Sequence, residues 1–144
     1  MKIDIDRLHR CIENQENHLI YRGEGNTFSI LVRAIQSIDP TKKETILIVV
    51  NNVHMKRYIT EQLREIYEAC KSDLLDIPVF DLKMRNGYIE CGESKIKLVS
   101  ANELNRNDCR SLLGMKIKNY FIDDSAYYMI TNRSRDLLNT LCKL

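Results

Sequence analysis

The sequence predicts a three-layer α/β domain with a mainly parallel central sheet and one β-hairpin. The run at 45–50 is continuously apolar and β-branched, which is typical of a strand covered on both faces. Amphipathic helical patterns at 27–38 and 52–74 flank it, so strands and helices alternate. Asn86-Gly87 separates two short alternating runs, the usual hairpin signal. A chain of 144 residues suits one domain, which we expect to span 1–144.

The order of elements follows from apolar spacing and from turn residues. A first helix should begin near Asp4 or Asp6, because Leu8 and Ile12 share one face and early aspartates favour a helix N-terminus. Asp39-Pro40 should end the second helix. We expect the remaining elements at 18–22 (strand), 27–38 (helix), 45–50 (strand), 52–74 (helix), 79–84 and 88–91 (hairpin), 95–100 (strand), 102–110 (helix), 120–123 (strand) and 133–141 (helix).

Composition excludes several classes of function. A net charge of +2 gives no argument for a polycation that coats nucleic acid. The five cysteines are scattered and lack metal-ligand spacing, so we expect neither a disulfide framework nor a zinc site. The first residues lack the apolar core of a signal peptide, and no stretch has membrane-spanning length. We therefore expect a cytoplasmic protein without a membrane partner.

A glycine-containing loop follows the expected strand at 18–22. In the pattern G-x-x-x-x-G-K-[ST], backbone amides close around phosphates, the lysine reaches the β/γ-phosphates and the hydroxyl holds Mg²⁺. Gly25 and Thr27 stand in register with that pattern, while Asn26 replaces the lysine and Ile20 the first glycine. Together with Gly23, these residues predict a phosphate-binding loop that lacks its lysine; the other interpretation is a tight turn.

Two adjacent carboxylates, Asp123 and Asp124, end the expected strand at 120–123. Open α/β sheets bind ligands beyond the carboxyl ends of their strands. In a nucleotide-binding lobe the first acid would hold the Mg²⁺ that Thr27 also contacts, and the second would orient and deprotonate the attacking water. The alternative is that the two aspartates cap the turn or helix that follows.

Other loop residues also have two interpretations. Arg22 either faces the phosphates and partly restores the missing charge, or is solvated. Thr27 is either a metal ligand or an ordinary helix N-cap, and one hydroxyl position serves both. The paired glycines imply close approach of a ligand or of a neighbouring strand.

Four segments in order over 18–130 carry a family resemblance. They are the loop 21–27 with its early arginine, the strand 46–50 followed by two asparagines, the hairpin 85–89 with the strand 95–100, and 112–114 leading into 121–127. Together they resemble the first RecA-type lobe of helicase-like motor ATPases, particularly of viral large-terminase packaging motors. The resemblance implies a P-loop lobe with ATP and Mg²⁺ as cofactors and with DNA or a packaging or replication protein as partner.

The resemblance also implies a set of site residues. Arg22, Gly23, Gly25, Asn26 and Thr27 would surround the nucleotide. Thr27 and Asp123 would hold the metal, and Asp124 would be the catalytic base.

The departures from the family pattern lower the expected activity. Asn26 removes the charge that neutralises the transferring phosphoryl group. Asp124, where the family has glutamate, is shorter by a methylene. The 144 residues leave no room for a second lobe, so we do not expect an autonomous motor.

Two functions of different classes remain. The first is a small terminase-like or helicase-like protein of viral DNA handling in the host cytoplasm, which binds Mg-nucleotide and is at most a weak or partner-dependent ATPase. The second is an inactive lobe that acts as a viral accessory module for binding protein or nucleic acid. Gly25, Thr27 and both aspartates favour the first, while Asn26 favours the second. The basic residues of the long helix are explained as readily by a solvated face as by nucleic acid.

Overall fold

The computed structural model describes residues 6, 8, 26–72, 77–78, 80–85, 87–106, 112 and 114–143. Its helices are α1 (Asn26–Gln36), α2 (Val53–Ser72), α3 (Ala101–Arg106) and α4 (Asn132–Lys143), and a 3-10 turn covers Asp124–Ala126. Its strands are β1 (Thr45–Val50), β2 (Leu82–Arg85), β3 (Tyr88–Cys91), β4 (Ser94–Ser100) and β5 (Ile117–Ile122).

The described strands form one mixed sheet in the order β2-β3-β4-β1-β5. The strand β1 is central and runs parallel to both neighbours, with Ile48 opposite Leu98 on one side and Phe121 on the other. The strand β3 is antiparallel to β4 and to β2, which makes the hairpin. The carboxyl ends of β1, β4 and β5 therefore share one edge of the sheet.

Helices cover both faces of the parallel strands, which gives three layers. All six residues of β1 are buried. Ile46, Ile48 and Val50 pack into a cluster with α1 and α2, whereas Leu47 and Val49 pack into a second cluster with α3 and α4. Alternate side chains of a strand point to opposite faces, so an uninterrupted apolar run needs cover on both. The prediction of an α/β fold with a mainly parallel core and one hairpin is confirmed.

Short polar side chains cap the N-termini of two helices at the carboxyl edge of the sheet. The carboxamide oxygen of Asn52 accepts a hydrogen bond from the Met55 amide at 3.0 Å, at the start of α2. The hydroxyl of Ser100 accepts one from the Glu103 amide at 3.1 Å, at the start of α3. Each bond satisfies an amide that has no partner within its own helix. Two strands thus turn into helices at this edge within two residues.

Most expected elements are present, with small shifts of their ends. The strand at 45–50 is confirmed to the residue, and the helices at 27–38, 52–74 and 133–141 appear as α1, α2 and α4. The first helix falls almost entirely outside the described residues, although Leu8 is buried in the core with α1 and α2. The expected strand at 18–22 lies outside them as well. None of the described helices is both long enough and apolar enough to cross a membrane.

Candidate functional site

Asp123 lies at the carboxyl end of β5 and continues the line of that strand. Its amide donates to the Val49 carbonyl at 2.9 Å, so the ladder with β1 extends one residue past Ile122. Asp123 is two residues after Phe121, which packs with α1 and α2, and it therefore points to the same face of the sheet. Its side chain is buried, with Asp123 only 2 % exposed.

Thr27 reaches this carboxylate from the first turn of α1. Its hydroxyl donates to Oδ1 of Asp123 at 2.5 Å, across 96 positions of sequence. The helix begins at Asn26, one residue before the expected start, so Thr27 lies inside the helix rather than at its cap. The structure therefore brings together the two residues that the sequence assigned to a metal site.

The second oxygen of Asp123 caps the turn that follows. Oδ2 accepts hydrogen bonds from the Ser125 amide at 3.1 Å and from the Ser125 hydroxyl at 2.5 Å. A carboxylate that bonds an amide two residues later is a common way to start a turn. The capping interpretation is confirmed for Asp123, and the same side chain also bonds Thr27. The two contacts use different oxygens, Oδ1 for Thr27 and Oδ2 for Ser125.

Asp124 begins the 3-10 turn and is half-buried beside the candidate site. Its carbonyl accepts a hydrogen bond from the Tyr127 amide at 3.3 Å, which holds the turn closed. Tyr128 is 80 % exposed and Met129 is 56 % exposed, so apolar surface adjoins the acidic pair. The Tyr127 and Tyr128 rings pack edge to face with centroids 5.2 Å apart.

The loop residues of the site are only partly within the described chain. Arg22, Gly23 and Gly25, which we expected at the nucleotide phosphates, lie outside the described residues. Asn26 is described as the first residue of α1. The helix start thus lies at the same place as the carboxyl end of β5, because Thr27 and Asp123 touch there.

The donor set fits a magnesium ion that arrives with a nucleotide. Mg²⁺ prefers hard oxygen ligands and usually keeps several waters, with one or two carboxylates and substrate phosphates completing its shell. Asp123 and Thr27 supply a carboxylate and a hydroxyl oxygen 2.5 Å apart, and Asp124 follows in the chain. Within the described part of the chain, no cluster of three or more His, Cys, Asp or Glu side chains suits a metal held by protein alone.

Comparison with family models, with curated proteins and with solved structures gives no match.

Sequence reasoning missed the role of Ser125. This serine supplies both hydrogen bonds to Oδ2 of Asp123, from its amide and from its hydroxyl. The signal was present, since an aspartate followed two residues later by a serine is a recurrent turn pattern.

Proposed function

We propose that this protein binds Mg-nucleotide at the carboxyl edge of its parallel sheet and that it hydrolyses ATP weakly or only with a partner. In this proposal the chain is a degenerate RecA-like P-loop lobe of the terminase or helicase type, working in viral DNA handling. Thr27 and Asp123 hold the metal, and Asp124 orients the attacking water. Arg22, Gly23, Gly25 and Asn26 face the phosphates.

The observation that carries the proposal is the hydrogen bond from Thr27 to Asp123. It joins the first turn of a helix to the end of the parallel strand β5, which lies next to β1, over 96 residues of sequence. Positive partial charge at a helix N-terminus favours phosphate, and the neighbouring carboxylate favours the cation that phosphate brings. When bound, the metal would neutralise charge on the phosphates, and the chain would orient it through these two oxygens.

The absence of the loop lysine supports ATP hydrolysis that is slow or depends on a partner. Asn26 stands where a cation would stabilise charge that develops on the transferring group, and such a term is worth several kcal/mol in a water-poor site. An arginine supplied by a partner is one established way to replace it. Hydrolysis that depends on a partner follows from this substitution.

A second candidate function rests on the saturation of Asp123. Both of its oxygens already accept hydrogen bonds from Thr27 and Ser125, which is how a purely structural aspartate would be used. In that case the lobe acts as a binding module without nucleotide.

Thermal unfolding with nucleotide separates the two functions. A ligand at about ten times its dissociation constant stabilises the native state by about 1.4 kcal/mol, roughly 4 °C for a domain of this size. We expect Mg-ATP to raise the Tm of the parent and not that of Asp123→Ala, with little effect of ATP in EDTA. Ser125→Ala is the matched control, because it removes a bond to the same carboxylate and leaves Thr27 in place. No rise of the parent Tm at millimolar Mg-ATP would contradict nucleotide binding and favour the second function, a binding module without nucleotide.

A gain-of-function variant tests the loop independently. Asn26→Lys restores the ammonium of the family pattern and should tighten Mg-nucleotide binding measured by calorimetry, because it adds a charge-assisted contact to phosphate. An unchanged affinity in a folded Asn26→Lys protein would show that this loop is only a turn.

A further inference from the structure

A cavity of about 400 Å³ lies between the first turns of α2 and the hairpin β2–β3. Its apolar lining includes Val53, Met84 and Leu98. Val53 is 64 % exposed and Met84 is 39 % exposed, which is unusual for large apolar side chains that adjoin one hollow. The cavity has room for an apolar side chain from another molecule.

Three cations line the same cavity, namely Lys56, Arg57 and Arg85. Two of them already have an acidic partner: Lys56 Nζ donates to Glu103 at 2.5 Å, and Arg85 Nε donates to Glu90 at 3.1 Å. Arg57 is exposed and forms no ion pair with any residue that the structure describes. The cavity thus offers one uncommitted guanidinium beside an apolar hollow.

The acids around the cavity restrict the class of ligand. Glu61 lines it, and Glu90 and Glu103 pair with two of its cations. A nucleic-acid backbone gains affinity by placing many phosphates on free cations. Of the three cations that line this cavity, only Arg57 has no acidic partner among the described residues. A peptide with one apolar side chain and a few carboxylates needs only the hollow and a contact with Arg57. Such a peptide can also compete for the exposed side of Arg85.

We propose that this cavity docks an acidic segment of a partner protein, with one apolar side chain between Val53 and Met84 and a carboxylate on Arg57. The charge complementarity is local, since the whole chain carries a net charge of only +2. The site involves none of the residues at the candidate nucleotide site, so it stands whether or not nucleotide binds.

The test is a titration of the ¹⁵N-labelled full chain with a synthetic peptide, followed by amide chemical shifts. The probe has about ten residues, with a central leucine flanked by glutamates and aspartates. We expect saturable shifts in the first two turns of α2 and in β2–β3. A second peptide with serine in place of leucine should bind about fivefold more weakly, because its apolar burial is lost.

Two variants with matched controls locate the contact. Arg57→Glu should weaken the peptide at least about tenfold, whereas Lys43→Glu makes the same charge change at an exposed residue outside the cavity and should not. Met84→Ser should weaken it severalfold, whereas Met129→Ser, at another exposed methionine, should leave affinity unchanged.

Three outcomes overturn the proposal. No shifts in this region at about 2 mM peptide would show that the cavity does not take acidic segments. Equal binding of the leucine and serine peptides would show unspecific charge attraction. Tighter binding of an oligothymidylate to the same amides, lost in Arg57→Glu, would assign the cavity to nucleic acid instead.

Discussion

The centre of the sheet and its hairpin end are built in opposite ways. The strand β1 is buried along its whole length, with helices on both faces. The hairpin strand β2 is exposed from Lys83 to Arg85, and its charged side chains pair with Asp81 and Glu90 at the surface. Stability is therefore concentrated in the parallel strands, while the hairpin end keeps charge and apolar surface available for contacts.

The two candidate sites follow this division. The Thr27–Asp123 contact lies at the buried end of β5, where a polar pair must be satisfied within the protein. The cavity at Arg57 lies against the exposed hairpin, where Arg85 and Glu90 form a surface ion pair. We expect mutations near the first to affect folding as well as binding, and mutations near the second to affect binding alone.

The largest expected effect is in the centre of β1. Ile48→Ala removes a fully buried side chain from the core with α1 and α2 and should lower the free energy of unfolding by about 2–5 kcal/mol. Met84→Ala, on the exposed hairpin strand, should cost less than about 1 kcal/mol. Urea denaturation of both variants measures the difference. Similar losses in the two would contradict the division between core and hairpin.

Alanine substitutions at two glycines compare the packed turn before β4 with the exposed turn of the hairpin. Both have positive φ, +65° at Gly92 and +88° at Gly87. A Cβ on Gly92 would lie 2.7 Å from Pro40 Cβ and 2.7 Å from its carbonyl oxygen, whereas one on Gly87 would meet nothing within 4 Å. We expect Gly92→Ala to cost about 2–4 kcal/mol and Gly87→Ala about 1 kcal/mol, from backbone strain alone. Thermal unfolding of the pair would show whether the packing against Pro40 sets the difference.

The parallel core was predictable because its signals are local and agree with one another. The run at 45–50 is apolar at every position but the first, so the sequence favours no other bounds for this strand. The meeting of Thr27 and Asp123 follows from topology, since a helix start and a strand end share the carboxyl edge of the sheet. Membership of the RecA-like class stays a prediction.

The start of the hairpin was not predictable from alternation. The pattern at 79–84 predicted a strand, yet β2 begins only at Leu82. The reason is a long-range side-chain contact, because the Tyr67 hydroxyl takes the place of a strand partner at Phe80. It donates to the Phe80 carbonyl at 2.8 Å and accepts from the Phe80 amide at 3.0 Å. A tyrosine on a helix gives no sign in the sequence that it will do this.

That contact gives a prediction of intermediate size. Tyr67→Phe keeps the ring stacked on Phe80, where the centroids are 4.4 Å apart, but leaves a buried amide and carbonyl without the hydroxyl. We expect a loss of about 1–2 kcal/mol. Arg85→Gln removes the ion pair with Glu90 on the exposed hairpin and should change the free energy of unfolding by less than about 0.5 kcal/mol. Equal effects of the two would mean that the hairpin depends on its surface charges.

The smallest expected effect is a pH dependence at Asp39, in the loop that leads into β1. Its carboxylate accepts hydrogen bonds from the Thr41 hydroxyl at 2.6 Å and from the Thr41 amide at 3.0 Å. These bonds, and then the nearby Lys42 and Lys118, hold the pKa of Asp39 below its usual value near 3.8. A carboxyl whose pKa is lower in the folded state stabilises the fold above the unfolded pKa, and that stabilisation is lost as the pH falls through the folded pKa.

The parent should therefore be slightly more stable than Asp39→Asn at neutral pH, and the difference should begin to shrink at about the usual carboxyl pKa of 3.8 and disappear as the pH falls through the lower folded pKa. Asparagine keeps an acceptor for the Thr41 amide, so the comparison isolates the charge of the carboxylate. Parallel urea titrations of the two proteins between neutral and acidic pH measure the difference directly, with every other carboxyl group common to both. A difference that stays constant over this range would show that Asp39 acts through its shape and hydrogen bonding, and that charge contributes nothing to this turn.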